Sequence, residues 1–403
     1  MSYQVPSTIS SHGYLEGKSS FVLDPSEILA PAVSGSLVWQ GDELSPTEYV
    51  VKLDDSHVLD IRAAVVAFKL DLIRQILIPI PVTGLPRAKI STNTFALSNP
   101  DLVNMFSSVS RELHHGKGVT VLRGLDSAHF NDEEAVITFA GICSYICQER
   151  ATDSYANQTL SHIIDATKRQ IPEGCKGIGL AGSKVTSAMD FHSDRFSGDV
   201  IALHVRNDGG SGTGGEQFVA SFPKIYNELL KSDPGVLETM AEPDWPFELK
   251  KKDRAPYLEL GSTLFFSKGK PICQLAKAPL LGTSNIPRDP SMPQVTKKQL
   301  HTVHVVEELA RQFCTKVDRQ QGDIQLFHNL SIMHARAEYH GAGDGASARH
   351  LLRMFLRDSK NAWDKPARCR WNFDDPFTPN RPQSLPVFDT DPWRTISGRE
   401  SHG

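Results

Sequence analysis

The spacing of apolar and polar positions divides the chain into helices on its flanks and a middle of short, β-rich segments. Residues 1–50 are rich in Ser, Gly and Pro without periodicity and are expected to wrap the surface, with Trp39 as an anchor into the body. From Asp55-Ser56 onward Val58, Ile61, Val65 and Phe68 fall on one stripe, which predicts a capped amphipathic helix. Further helices are expected over Asn99–His115, residues 133–150, from Lys224 to Leu230 and over Thr296–Lys316. The run Val119–Leu125, interrupted by Arg123-Gly124, reads as a buried strand and a turn. Thr159–Ile164 and Val200–Val205 read as strands, and Tyr257–Leu260 with Thr263–Ser267 as a strand pair. Gly322-Asp323 signals a turn before another apolar run, and Arg349–Leu356 is apolar enough on both sides for a buried strand. Beyond Asp358 the tail turns to Pro, Arg and aromatics, with Trp363 and Trp371 expected to pack back.

Composition narrows the class. The 403 residues carry a formal charge of −4, which gives no electrostatic reason to expect nucleic-acid binding and leaves a small-molecule partner as the natural expectation. A hydrophobic content of 39% suffices for a sizeable core. The six cysteines are scattered, and the close pair Cys143 and Cys147 sits at helical spacing, so neither a zinc site nor a disulfide framework is indicated. There is no signal-like opening, no long uncharged apolar stretch and no peroxisomal ending at Ser401-His402-Gly403. The expected location is therefore cytoplasmic, without a membrane partner, and the sequence says nothing of oligomeric state.

The chemistry concentrates in two places. In Asp190-Phe191-His192-Ser193-Asp194, strand alternation would point His192 and Asp194 the same way, so that they grip one cation together with a histidine from another strand. Two histidines and a carboxylate on one side of iron leave three positions open, the arrangement that non-haem iron oxygenases use for oxygen and a co-substrate. The spacing alone is weak, since about one His-x-Asp is expected by chance. Downstream, His328, His334 and His340 compete for the third position. The loop Gly341-Ala342-Gly343-Asp344-Gly345 would let the chain reverse, bringing Arg349 back beside His334 across two adjacent strands. Arg349 and Arg353 then share a strand face roughly 13 Å apart, too far for one dicarboxylate to occupy both. A buried arginine is costly unless a carboxylate meets it, and its planar fork suits bidentate capture. The glycines from Gly209 to Gly215 lack phosphate-cradle spacing and read as a flexible loop at the site mouth.

Together these motifs resemble the TauD/TfdA family of iron(II)- and 2-oxoglutarate-dependent dioxygenases, especially fungal-type members linked to natural-product and amino-acid metabolism. The resemblance covers roughly residues 80 to 365 and includes Arg123-Gly124, Gly214-Gly215-Glu216-Gln217 and Ala335-Arg336. It implies His192, Asp194 and His334 as iron ligands, Arg349 as the clamp on the distal carboxylate of 2-oxoglutarate, and Arg353 facing an anionic group of the substrate. Gln217 stands where the family often has a hydroxyl that bonds 2-oxoglutarate, and His328 stands where asparagine is expected. His162 and His340 are expected to be structural.

The implied fold is mainly β with surrounding helices: a double-stranded β-helix (jelly-roll, cupin-like) core with an N-terminal elaboration and a lid drawn from residues 232–320. The expected organisation is an arm and helix over 1–80, the dioxygenase unit over 81–365 and a tail over 366–403, with no independently folding parts. The implied activity, with O2, is hydrogen abstraction from a C–H bond of a small carboxylate-bearing substrate, an amino acid or natural-product intermediate. Hydroxylation, desaturation or a cyclisation such as aziridine formation are all compatible outcomes. A cupin-like metal hydrolase using zinc, or a non-catalytic binding relative, are the alternatives; the first has no need of Arg349 in a buried anion clamp.

Overall fold

The computed structural model describes residues 29–76, 87–126, 129–153, 157–171, 179–210, 212–251, 254–341 and 347–389. In chain order the early strands are β1 (Val50–Lys52), β2 (Val119–Arg123), β3 (Glu149–Arg150), β4 (Ser161–Ile164), β5 (Met189–His192), β6 (Val200–Asn207) and β7 (Gln217–Ser221). They are followed by β8 (Trp245–Lys251), β9 (Arg254–Gly261), β10 (Leu264–Ser267), β11 (Lys270–Cys273), β12 (Thr315–Lys316), β13 (Ile324–His328), β14 (Ile332–Arg336) and β15 (His350–Arg357). A seven-stranded sheet runs β1-β2-β13-β6-β15-β3, with β4 also on β15; a four-stranded sheet runs β12-β7-β14-β5.

Strand alternation explains how the large sheet is covered on both faces. Leu122, Val200, Ala202, Ile324, Leu326, Leu352, Met354 and Leu356 point to one side and pack on Ile61, Val65, Phe68, Phe106, Leu113 and Phe139 of the flanking helices. The alternate residues Val119, Val121, Ile201, Leu203, Val205, Phe327, Leu351 and Phe355 point to the other side and meet Val219 and Ile332 of the small sheet. The two sheets therefore face each other around a shared apolar interior. Behind the small sheet, Phe191, Ala220, Met333 and Ala335 pack on the helices Phe222–Ser232 and Lys297–Phe313 and on Trp245 and Phe247.

Most predicted elements are present. The helix Asp55–Ile76 buries Ile61, Val65 and Phe68, with Val58 half-buried, and Asp54 caps it by accepting from the His57 amide. Pro100–His115 is capped by Asn99, and Lys297–Phe313 by Thr296. Trp39 is buried and donates its indole N–H to Lys117 O at 3.0 Å, the expected anchor.

Four expectations are corrected. β14 and β15 are not adjacent: β14 pairs with β5 and β7 in the small sheet, while β15 pairs with β6, β4 and β3 in the large one. Of the glycine-containing loop between them, residues 342–346 lie outside the described residues. β9 and β10 do not pair with each other either, because β9 folds back on β8 and β10 on β11. The helix expected over 133–150 ends at Ile146 and gives way to β3. Trp363 is buried, but Trp371 is 51% exposed on a short helix. Among the described residues no helix is long and apolar enough to cross a membrane.

Candidate active site

His192 ends β5 and lies directly opposite His334 of β14, so backbone pairing alone brings the two imidazoles together, with ring centroids 4.2 Å apart. Asp194 is not on the strand, as alternation predicted, but two residues beyond its end. Its carboxylate still closes the group: Oδ1 lies 3.8 Å from His192 Nε2 and Oδ2 3.6 Å from His334 Nε2. The three ligand atoms all fall within 4.8 Å of one another. Ligands about 2.1 Å from one ion and at right angles would stand about 3.0 Å apart, so a small inward movement suffices for a divalent cation. Asp190 O lies 2.7 Å from His192 Nδ1, which places the ring proton there and turns the Nε2 lone pair toward the cation position. Asp194 is fully buried and His334 is 15% exposed, so the group is sealed on its carboxylate side.

The turn that carries Asp194 is fixed from several directions. Asn329, immediately after β13, accepts from Asp194 N at 2.9 Å and donates to Asp194 O at 2.7 Å and to Gly198 O at 2.9 Å. Ser193 N donates to Leu275 O at 3.0 Å, and Gln274 Oε1 accepts from Phe196 N at 2.7 Å. Sequence reading placed no weight on Asn329, whose adjacency to His328 was its only signal. His328 itself is wholly buried on the far side, with Nδ1 2.7 Å from Ser331 Oγ and its ring packed on His114 and Trp363. His340 is exposed, and His162 lies 2.8 Å from His350 Nε2 through its Nδ1. None of the three joins the His192, Asp194 and His334 group.

Arg353 lies on β15 of the facing sheet, whereas Arg349 stands one residue before that strand rather than on it as expected; both are buried. The Arg349 guanidinium lies 5.0 Å from the Tyr339 ring centroid, and its Nε and Nη1 have no hydrogen-bond partner among the described residues. Burial first, then the nearby Arg336 and Arg319, push its pKa down to about 9, with Tyr339 opposing. Because a guanidinium keeps its proton in proteins, this depression marks a buried positive charge with no carboxylate beside it among the described residues. Gln217 of β7 is buried on the facing wall, its Oε1 without a partner among the described residues, and the buried Tyr339 hydroxyl lies beside the Arg349 guanidinium. Two glycines of the loop pack against this arginine: a Cβ on Gly215 would come within 3.0 Å of Arg349 Nε, and one on Gly209 within 3.4 Å of its Cβ.

Arg353 donates from Nε to Ser161 Oγ at 3.2 Å and makes no ion pair among the described residues. Burial lowers its pKa, opposed by the electrostatic attraction of Asp194, so it faces the Asp194 end of the interior. Arg336, two residues after His334, gives its guanidinium to the carbonyls of Val185 and Ser187 and thereby ties the segment before β5 to β14.

The model of the taurine catabolism dioxygenase TauD, TfdA family matches residues 81–355. The chain belongs to this family. It is therefore an iron(II)- and 2-oxoglutarate-dependent dioxygenase, an oxidoreductase. The taurine hydroxylase-like protein SAT17 of Stachybotrys chartarum is 30% identical over 373 residues, 92% of this chain and 91% of that protein. The FR-33289 synthase of Streptomyces rubellomurinus is 24% identical over 250 residues, 61% of this dioxygenase and 70% of the synthase. Among solved structures, an asparagine oxygenase complex with Fe(II), 3-hydroxyasparagine and succinate superposes with a TM-score of 0.55 at 14% identity, covering 77% of this chain and 93% of that one. The non-heme iron oxygenase OrfP with Fe and alpha-ketoglutaric acid gives 0.50 at 15% identity, covering 77% and 94%. At these identities the structural likeness speaks for the fold.

Proposed function

We propose that this dioxygenase oxidises a C–H bond of a small carboxylate-bearing substrate, an amino acid or a natural-product intermediate. In this reading His192, Asp194 and His334 hold iron(II). Arg349 receives the distal carboxylate of 2-oxoglutarate, with Gln217 beside it, and Arg353 receives the carboxylate of the substrate. The observation that carries the reading is the pair of buried arginines, neither matched by a protein carboxylate among the described residues, facing a buried cluster with the donor set for a divalent cation. Iron with 2-oxoglutarate supplies an oxidant from O2, releasing succinate and carbon dioxide. The protein's part is positional. Arg349 orients the co-substrate by a bidentate contact, Arg353 sets which substrate carbon lies nearest the metal, and the apolar interior excludes water. Hydroxylation, desaturation and cyclisation share this arrangement and diverge only in the fate of the substrate radical.

Two structural neighbours hold hydroxylated amino acids, 3-hydroxyasparagine and 3-hydroxyarginine, which favours an amino-acid-like substrate here. We read the two facing sheets as the halves of a double-stranded β-helix, residues 81–365 as the dioxygenase unit, and the insertion that carries Cys273–Leu275 as its cover. A cytoplasmic setting fits this chemistry. The test is anaerobic addition of iron(II) and 2-oxoglutarate to the metal-free protein. A weak visible charge-transfer band that requires both is expected; its absence at saturating concentrations would overturn the assignment.

A further inference from the structure

Arg319 lies in the connection between β12 and β13, on the opposite side of the glycine loop from Arg349. Its Nη1 donates to Gly215 O and its Nη2 to Asp208 O at 3.5 Å, the two stems of the loop that begins after β6 and ends before β7. Asp208 and Glu216 are within electrostatic range, yet no ion pair forms; the fork is spent on backbone carbonyls. The same stems sheathe the Arg349 side chain, Gly209 against its Cβ and Gly215 against its Nε and Cδ. Gly214 and Gly215 take φ of +81° and +76°, a backbone shape that L side chains rarely adopt. Gly215 N is held by Glu338 O at 2.9 Å, and Gly214 bridges to Tyr339, whose ring lies beside the Arg349 guanidinium. The loop is therefore tied to β14's extension on one side and clasped by Arg319 on the other.

We infer that Arg319 is a positioning residue for the co-substrate clamp: by joining the two stems it closes the glycine sheath that aims Arg349 at the distal carboxylate of 2-oxoglutarate. The inference rests on the assignment of Arg349 proposed above. Arg319 reaches the two carbonyls from two separate nitrogens of one planar fork, a span that a lysine, whose three donors share one nitrogen, does not reproduce. Groups that orient a binding residue without touching the ligand are commonly worth 10- to 100-fold in affinity.

The experiment titrates 2-oxoglutarate, and in parallel 2-oxovalerate, which has the same chain length but no distal carboxylate, into the anaerobic iron(II)-loaded protein. Arg319→Gln and Arg319→Lys are each expected to weaken 2-oxoglutarate roughly 10- to 100-fold while leaving 2-oxovalerate and iron(II) affinities near wild type. Gly215→Ala, which crowds Arg349 directly, should show the same selective loss. Full retention by Arg319→Lys would overturn the clasp in favour of a charge effect, and an equal loss for both oxo acids would reduce Arg319 to a stabilising contact. Arg349→Ala separates the two claims. If it binds 2-oxoglutarate like wild type, the clamp assignment fails; if it loses binding while the Arg319 variants do not, only the clasp fails.

Discussion

Asn329 holds both backbone polar groups of Asp194, accepting from its N–H and donating to its C=O, so the turn that carries Asp194 is fixed by a side chain from a neighbouring strand end. Replacing Asn329 with leucine removes these bonds and the one to Gly198 O in a buried setting. The expected result is a folded protein whose iron(II) or cobalt(II) affinity drops by roughly 10- to 100-fold. Stability should fall by about 1–3 kcal/mol for each polar group left unsatisfied. Metal titration with a parallel urea melt checks both, and unchanged affinity would show that the turn holds itself.

The His192, Asp194 and His334 cluster predicts loss of metal binding without loss of intrinsic stability. His192→Ala and Asp194→Asn should abolish succinate production and the rise in melting temperature that iron(II) gives the wild type. Their metal-free melting temperatures should stay close to that of metal-free wild type, because Asp194 is a buried carboxylate whose charge is costly without the cation. Near-normal turnover by either variant in metal-controlled buffer would remove it from the ligand set.

Arg353 sets a prediction about substrate. Scored by substrate-stimulated succinate release, free amino acids should outperform their methyl esters, and Arg353→Gln should raise the KM for the preferred acid with little change in the 2-oxoglutarate titration. Breaking a buried charge pair costs roughly 2–5 kcal/mol, so the effect is expected to exceed tenfold. Esters performing as well as acids would assign Arg353 to the fold rather than to the substrate.

Stability should depend on pH through histidines outside the His192, Asp194 and His334 cluster. Burial, with Arg206 and His350 adding to it, pushes His204 down to about 3, and burial with His162 pushes His350 down to about 4. In the unfolded chain both titrate near 6.5, so between roughly pH 6.5 and 4 the unfolded state binds protons that the folded state refuses. Folded stability is therefore full above about pH 7 and declines as the pH falls through this window. Melting temperatures of the metal-free protein from pH 8 to pH 5 check this, and His204→Met should make the decline shallower. A flat profile would contradict the burial of these rings.

The residues that the structure gathers into one cluster were readable in the chain because each is a distinctive type at a short, local spacing: His192 with Asp194, and His334 followed by Ala335-Arg336. Helix stripes such as Ile61, Val65 and Phe68 were readable for the same reason. Strand partners were not. The residues between β14 and β15 carry hairpin-like turn chemistry, yet the chain crosses from one sheet to the other there, and a strand's own apolar pattern does not say which sheet it joins. Asn329 and Arg319 were hidden for a different reason. Their importance lies in the particular backbone carbonyls and amides they reach, which depends on chain segments distant in sequence.

Since β14 and β15 stand in opposite sheets, His334 on β14 and Arg349 just before β15 sit on two separate jaws of a vice, with no backbone hydrogen bond joining one strand to the other. Residues wedged between the sheets, Ile332 on one jaw and Leu203 and Phe355 on the other, set the gape. Altering their bulk is a route to admitting a longer or shorter molecule while His192, Asp194, His334, Arg349 and Arg353 stay in place, so substrate range in this scaffold can drift through its packing rather than through its chemistry.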